Sequence, residues 1–241
     1  MTGSVQQCAL VTGASSGIGR ATALALAQAG FNLALVSRSK DALAEVAAES
    51  QRYGISAQVF PLDLSQLDQV KSEIEAVIHA CGAVHLLVNN AGMGYTGALQ
   101  QMPLDDWQQV MALNLTSPFL CMQAVLPHMR DRGQGTIINV ASIAGYQAFP
   151  EWGAYGVSKA GLIMLSKALR AEASGDGVRI ITLSPGAVNT PIWDTDSVQA
   201  DFDRSKMLTP DVVAQAIVQA VTLPHHAVIE ELKIMPSGGA L

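Results

Sequence analysis

The sequence predicts an α/β fold: a doubly wound parallel sheet of about seven strands, with helices on both faces, in one domain. Three observations predict it. Short apolar runs alternate with longer stretches whose apolar residues recur at helical spacing. Such alternation, repeated along a chain, is the pattern of parallel strands joined by crossover helices. No linker, repeat or low-complexity tract interrupts the 241 residues, an ordinary length for one α/β domain.

Each element has its own signal. Cys8 to Val11 is a short apolar run that reads as a buried strand. A turn with glycines at 13, 17 and 19 follows, then a helix from Arg20 to Ala29 that Gly30 ends. Asn32 to Ser37 is the second strand. The helix from about Lys40 to Tyr53 sets Leu43, Val46 and Ala47 on one face. Ala57 to Pro61 is the third strand. Ser65, with Asp68 three residues on, reads as a capping box for a helix with Val70, Ile74, Val77 and Ile78 on its apolar face. Val84 to Asn89 is the fourth strand. A long helix from about Asp105 to Arg130 should bend near Pro118, where the backbone loses a donor. Thr136 to Val140 is the fifth strand, and the next helix runs to about Ala173. Val178 to Ser184 is the sixth strand. Thr209-Pro210 reads as an N-cap and first-turn proline for a helix to about Thr222, and Ala227 to Met235 is the last strand. Pro185 to Leu208 is the longest irregular stretch, and loops of that length are usually functional, here as a substrate lid.

Composition narrows the function classes. Hydrophobic residues make up 49% of the chain and charged ones 14%, so much of it must be buried. The net charge is −6 with no basic run, which argues against nucleic acid. No uninterrupted apolar run reaches the roughly 18 residues of a membrane span. Met1 to Gln7 is polar and lacks the build of a signal peptide. Cys8, Cys81 and Cys121 are widely spaced and read as reduced thiols in a cytoplasmic protein. The five histidines suggest no metal site.

Two patterns carry chemistry. Strand, glycine turn and helix together form a phosphate-binding context: glycines let the backbone approach, and the helix start offers unpaired N–H groups. The spacing is Gly-x-x-x-Gly-x-Gly, unlike the Gly-x-Gly-x-x-Gly of the commonest dinucleotide fold. Tyr155 and Lys159, four apart, share one helix face. A lysine cation beside a phenol favours the phenolate, which makes the pair a tunable acid/base for a carbonyl or an alcohol.

Together these pieces resemble the short-chain dehydrogenase/reductase family, with a Rossmann-type fold, over roughly residues 5 to 235. The resemblance implies a cofactor turn at Gly13, Ser15, Ser16, Gly17, Ile18 and Gly19. It implies an adenine contact at Asp63 and Leu64, a signature at Asn90, Ala91 and Gly92 after Asn89, and a nicotinamide-side loop with Pro185, Gly186, Val188 and Thr190. Asn114, Ser142, Tyr155 and Lys159 match the four catalytic positions. Tyr155 would be the proton donor, Lys159 would lower its pKa and hold the cofactor ribose, Ser142 would polarise the carbonyl, and Asn114 would hold a water that links Lys159 to solvent. Where an NAD-preferring protein places an acid, this chain has Ser37, Arg38 and Ser39. Arg38 suits a 2′-phosphate, so the cofactor reading is NADP(H).

The implied activity is reversible reduction of a ketone or aldehyde to an alcohol, with a small carbonyl compound or a 3-oxoacyl thioester as substrate. Ser142, Ala144, Tyr146, Trp152 and Trp193 are the substrate candidates, with Met93, Tyr95, Ile143, Phe149, Ala187 and Phe202 near the pocket. The catalytic half resembles 3-oxoacyl-[acyl-carrier-protein] reductases, but two features count against a carrier-protein partner. Ile234-Met235-Pro236-Ser237-Gly238-Gly239 replaces their usual Val-Asp-Gly-Gly ending, and the loop Ser174 to Gly177 supplies no base. The C-terminal stretch is closer to members acting on small aldehydes, ketones or 3-hydroxy acids. A silent NADPH-sensing protein is the alternative, although such relatives tend to lose the Tyr or Lys kept here. The family also implies a homotetramer, with Val110, Met122, Ile163 and Met164 on the outer faces of two long helices.

Overall fold

A computed structural model describes residues 6–200 and 202–239. Most of the polar start read above (1–5), Asp201 of the lid, and residues 240 and 241 lie outside the described residues. Strands β1 (Cys8–Thr12), β2 (Asn32–Ser37), β3 (Ala57–Pro61), β4 (Leu86–Asn89), β5 (Gly135–Val140), β6 (Val178–Pro185) and β7 (Glu231–Ile234) form one sheet in the order 3-2-1-4-5-6-7. Every pairing is parallel. The order reverses between β1 and β4, so a crevice opens there at the carboxyl ends of the strands.

The period-two alternation of side chains sends each strand's apolar residues to two cores. Ala9, Val11, Leu33, Leu35, Ile138 and Val140 meet one layer, built on α1 (Gly17–Gln28), α2 (Lys40–Gln51) and α7 (Pro210–Val221). Leu10, Ala34, Val36, Leu87 and Ile137 meet the other, built on α3 (Leu67–Cys81) and α5 (Ser117–Asp131). Helices α4 (Leu104–Met111) and α6 (Gly153–Glu172) pack beside α5, joined through the turn at 112–116. The stretch Leu104–Asp131 is long and apolar enough to cross a membrane by length and composition, and half of that window is buried inside the fold.

Four local expectations are corrected. The long helix is interrupted not at Pro118 but just before it, by a π-helical turn over Ala112–Thr116. Pro118 falls in the first turn of α5, where a missing N–H costs little. The Ser65–Asp68 capping box does not form: α3 starts at Leu67, and the Ser65 hydroxyl instead donates to Asp63 at 2.8 Å. Thr209 precedes Pro210 as expected but makes no side-chain cap bond. The last strand is shorter than Ala227 to Met235, running only over Glu231–Ile234, and arginines bond carbonyls in the stretch before it. Arg179 donates to Ala227 O and Arg170 to Glu230 O.

The outer-face reading of the long helices also changes. Val110, Met122 and Ile163 are buried within the chain, and only Met164 of the four stands in solvent.

One buried polar row ties the sheet beneath the site. Asn89 lies opposite Asn139, and Asn139 opposite Thr182. Asn89 Nδ2 donates to Asn139 Oδ1 at 2.8 Å, and Asn139 Nδ2 donates to Ser166 Oγ on α6 at 2.8 Å. Replacing Asn139 by leucine keeps the heavy-atom branching but leaves Asn89 Nδ2 unpaired in the core, while Ser166 Oγ keeps its bond to Leu162 O. We expect Asn139→Leu to lower the unfolding free energy by about 1–3 kcal/mol, the cost of one orphaned buried group. Chemical denaturation checks this, and a change within about 0.5 kcal/mol would show the row to be dispensable.

Candidate active site

A cavity of about 780 Å³ lies along the carboxyl ends of β1, β2, β4, β5 and β6. One end is built from the glycine turn. Gly13 and Gly17 adopt positive φ, +65° and +52°, which favours glycine. A Cβ on Gly19 would collide with the carbonyl of Gly13, so Gly19 serves close packing and does not itself line the cavity. Ser16 precedes α1 without a side-chain cap bond, and the first turn carries no acid. The helix start therefore keeps N–H groups free for an anion. Thr12 braces this end: its hydroxyl accepts from the backbone N–H groups of Asn90 and Ala91, both at 3.0 Å. The sequence reading gave Thr12 no such duty.

Ser15, Ser16, Ile18, Ser37, Arg38, Ser39, Asp63 and Leu64 line the same end. The Ser37 hydroxyl is buried with no partner. Asp63 accepts from Ser65 N–H at 3.0 Å, and this bond, with the Ser65 hydroxyl and the nearby Arg38, holds its carboxyl below the usual range. Arg38 joins no ion pair among the described residues.

Asn90, Ala91 and Thr190 lie against the glycine turn, and the other end gathers Gly92, Ser142, Ala144, Trp152, Tyr155, Lys159, Pro185, Gly186, Val188 and Trp193. Ser142 lies two residues past β5 and caps the short turn Ile143–Gly145, its hydroxyl accepting from Ala144 N–H at 3.1 Å. Gly145 lets that turn press on α6, since a Cβ there would come within 2.9 Å of the Lys159–Ala160 peptide. Tyr155 faces the same space. Burial pushes its phenol above the ordinary value, opposed by hydrogen bonding with Ser142. The expectation that Lys159 lowers it is corrected: the ammonium lies 5.7 Å from the ring centroid and donates instead to Val140 O at 2.9 Å. Lys159 is itself brought down to about 8 by desolvation.

Three expected residues sit elsewhere. Asn114 does not line the cavity. Its amide is fully buried in the π turn, where it accepts from Met93 N–H (2.8 Å) and donates to Met93 O (2.9 Å) and Ser158 Oγ (3.1 Å). Both of its N–H groups are thus taken, which leaves none for the expected water. Tyr146 is drawn off by Glu231, to which its hydroxyl donates at 3.0 Å, and Lys233 stacks over its ring. Tyr95 donates to Asp106 at 2.9 Å. Gln109, Leu113 and Ile192 line the cavity unannounced, because only tertiary packing brings them there. Trp152, Tyr155, Trp193 and Phe202 form an edge-to-face chain with centroids 5.4–5.6 Å apart.

The profile of the short chain dehydrogenase family matches residues 7–201.

The chain belongs to the short chain dehydrogenase family.

An uncharacterized oxidoreductase of Staphylococcus epidermidis is 32% identical over 231 residues, 96% of this chain and 97% of that one. Among solved structures, an alcohol dehydrogenase of the archaeon Thermococcus sibiricus, complexed with 5-hydroxy-NADP, is similar with a TM-score of 0.88. It is 30% identical, covering 96% of this chain and 97% of that one. The acetoin dehydrogenase YohF of Salmonella typhimurium is similar with a TM-score of 0.87 and 29% identity, over 96% and 95%. As a short chain dehydrogenase, the protein is an oxidoreductase, and its sheet order places Ser142, Tyr155, Lys159 and most of the glycine turn around one crevice.

The lowered pKa of Lys159 has a consequence for stability. Between about 8 and the ordinary lysine value of 10.5, the unfolded chain binds a proton that the native protein has released. The burial penalty is therefore fully present below about pH 8 and is relieved as pH rises toward 10.5. Lys159→Met is expected to be more stable than wild type below pH 8, with an advantage that shrinks above it. Thermal unfolding of both proteins from pH 6 to 10 checks this, and a difference flat across that range would refute it.

Proposed function

We propose that the protein is an NADPH-dependent reductase of ketones or aldehydes that also runs the reverse alcohol oxidation. The observation that carries this reading is the convergence of Tyr155, Ser142 and Lys159 on one end of a cavity whose other end is a glycine cradle beside Arg38. The 5-hydroxy-NADP bound to the archaeal alcohol dehydrogenase supports the cofactor assignment.

The residues present fit such a cofactor. The uncapped start of α1 and the turn from Gly13 to Gly19 suit a pyrophosphate. Arg38, with the orphaned hydroxyl of Ser37 beside it, suits the 2′-phosphate, and Asp63 and Leu64 flank the adenine position. Pro185, Gly186, Val188 and Thr190 border the nicotinamide position, and Lys159 is placed to hold the ribose hydroxyls. When bound, the cofactor supplies the hydride for reduction or accepts it in oxidation.

The chain's own residues handle the proton. Burial keeps Tyr155 in its protonated form at neutral pH, so its hydroxyl gives a proton to the carbonyl oxygen in reduction. The Ser142 hydroxyl, on the same wall, holds that oxygen and eases the charge developing on it. The aromatic chain around Trp152 and Trp193 excludes water from the reacting carbon.

We also read the protein as self-associating. Leu104, Phe119 and Val157, with Met164 of the residues first assigned, leave apolar surface on α4, α5 and α6.

Tyr155→Phe removes only the hydroxyl. It is expected to keep NADPH binding, seen by fluorescence titration, and to lower kcat by about 10²–10⁴-fold. A kcat within a few-fold of wild type would refute the assignment and favour a protein that only senses the cofactor. Arg38→Ala is expected to raise KM for NADPH about tenfold or more and leave NADH nearly unchanged, since a charged hydrogen bond contributes about 1.5–3 kcal/mol. Equal loss with both cofactors would reduce Arg38 to a surface residue.

A further inference from the structure

We infer that the site selects a carbonyl compound that carries no charge and hangs on no anionic carrier. The inference rests on the reading of Tyr155, Ser142 and Lys159 above and narrows its substrate.

Three charged residues line the cavity among those described: Arg38, Asp63 and Lys159. Arg38 and Asp63 stand at the glycine-turn end, away from Tyr155. Lys159 is 5% exposed, donates a hydrogen bond to Val140 O at 2.9 Å, and is the group assigned above to the ribose hydroxyls. Apart from that shared ammonium, a substrate carboxylate at the tyrosine end meets no cation among the described lining residues. It meets Ile143, Phe149, Trp152, Ile192, Trp193 and Phe202 instead. Burying an unpaired anion against such a wall is costly, whereas an ester or an alkyl or aryl ketone gains from it.

The lid repels anions before they arrive. Its sequence, 185–208, holds four aspartates (194, 196, 201 and 203) against one arginine and one lysine. Each of those cations offsets one aspartate, which leaves an excess of two acids. Arg204 pairs with Asp194 at 2.6 Å, and Lys206 pairs with Asp203 at 3.5 Å. Asp196 is exposed and joins no ion pair among the described residues. Asp194, Asp196 and Asp203 flank the mouth, because their neighbours Trp193, Thr195, Ser197 and Phe202 line the cavity. Glu151, exposed beside Trp152, adds another acid. Coenzyme A and acyl carrier proteins are both polyanionic, so the mouth carries the same sign as either carrier and slows encounter with it.

Three compounds that share one reacting ketone test this: ethyl 3-oxobutanoate, 3-oxobutanoate, and 3-oxobutanoyl coenzyme A. NADPH oxidation is followed with wild type, and with Tyr155→Phe as the control that turnover belongs to this site. The neutral ester is expected to exceed both anions in kcat/KM by about tenfold or more. Raising salt from about 10 to about 150 mM shortens the screening length from roughly 30 to 8 Å. It should lift the coenzyme A rate several-fold and leave the ester's unchanged. Asp196→Lys should raise the ratio of coenzyme A to ester kcat/KM in the same direction. If either anion matches the ester within twofold, this inference is overturned while the proposed reductase stands. If NADPH is oxidised with none of the three, the reductase reading fails and this inference falls with it.

Discussion

A lysine ammonium sealed from water is the constraint on which the site depends. Lys159 has one hydrogen-bond partner, Val140 O, and no carboxylate. Burying a charge so thinly paired costs several kcal/mol, and the surrounding fold must supply it. The supports are local and specific. Gly145 lets the Ser142 turn close on α6, and Gly92 leaves room for the Asn114 amide and the lysine to approach, since a Cβ there would lie 3.1 and 3.5 Å from them. Asn114 fixes Met93 on one side and Ser158 on the other, so the strand β4 exit and the helix bearing Lys159 are joined through one side chain. An unfavourable charge held this rigidly is the kind of arrangement expected where protons are moved.

The placement of these groups follows from the sheet. Parallel strands end together, so Thr12, Asn89, Val140 and Pro185, scattered through the sequence, finish on one edge. The reversal of order between β1 and β4 leaves that edge open to a ligand. Thr12 and the row from Asn89 to Ser166 then lock the strands that form the floor. Charge is divided along the crevice: Arg38 sits at one end, and the tyrosine end is apolar under an acidic lid. The net charge of −6 therefore says less about ligands than the position of a single arginine does.

The strands and helices were legible because periodicity is local: a buried strand or an amphipathic helix shows in a window of ten residues. The glycine turn and the Tyr155–Lys159 pair were legible for the same reason. What failed depended on partners distant in sequence. No local signal separates a proline kink from a π turn three residues earlier, because Asn114 earns its position through Met93 and Ser158. Val110, Met122 and Ile163 looked like an outer stripe, but the sheet and the neighbouring helices cover them. Asp68 matched a capping box, yet the Ser65 hydroxyl was taken by Asp63, and the helix began two residues later. The lid shows the limit in the other direction. Length alone marked it as functional, while its two short 3₁₀ turns and its neck, where Val188 bridges Leu208, needed the folded chain.

Tyr146 shows how a misplaced residue can still matter to the site. It sits four residues after Ser142, at the end of the same short turn. Its hydroxyl reaches Glu231 on the edge strand β7, Glu231 pairs with Lys167 of α6 at 2.8 Å, and Lys233 covers the ring at 3.5 Å to its centroid. Exposed ion pairs contribute little on their own. The half-buried phenol is different, because it joins the Ser142 turn, the helix of Tyr155 and the last strand through one side chain. Strand β7 pairs with the sheet on one side only, through Thr182 to Pro185. The same β6 segment leads into the lid at Pro185 and Gly186. The wall that carries Ser142 and the strand that launches the lid therefore share a brace outside the cavity. The Ser142 turn is held from both faces, by Gly145 against α6 within and by Tyr146 against β7 without.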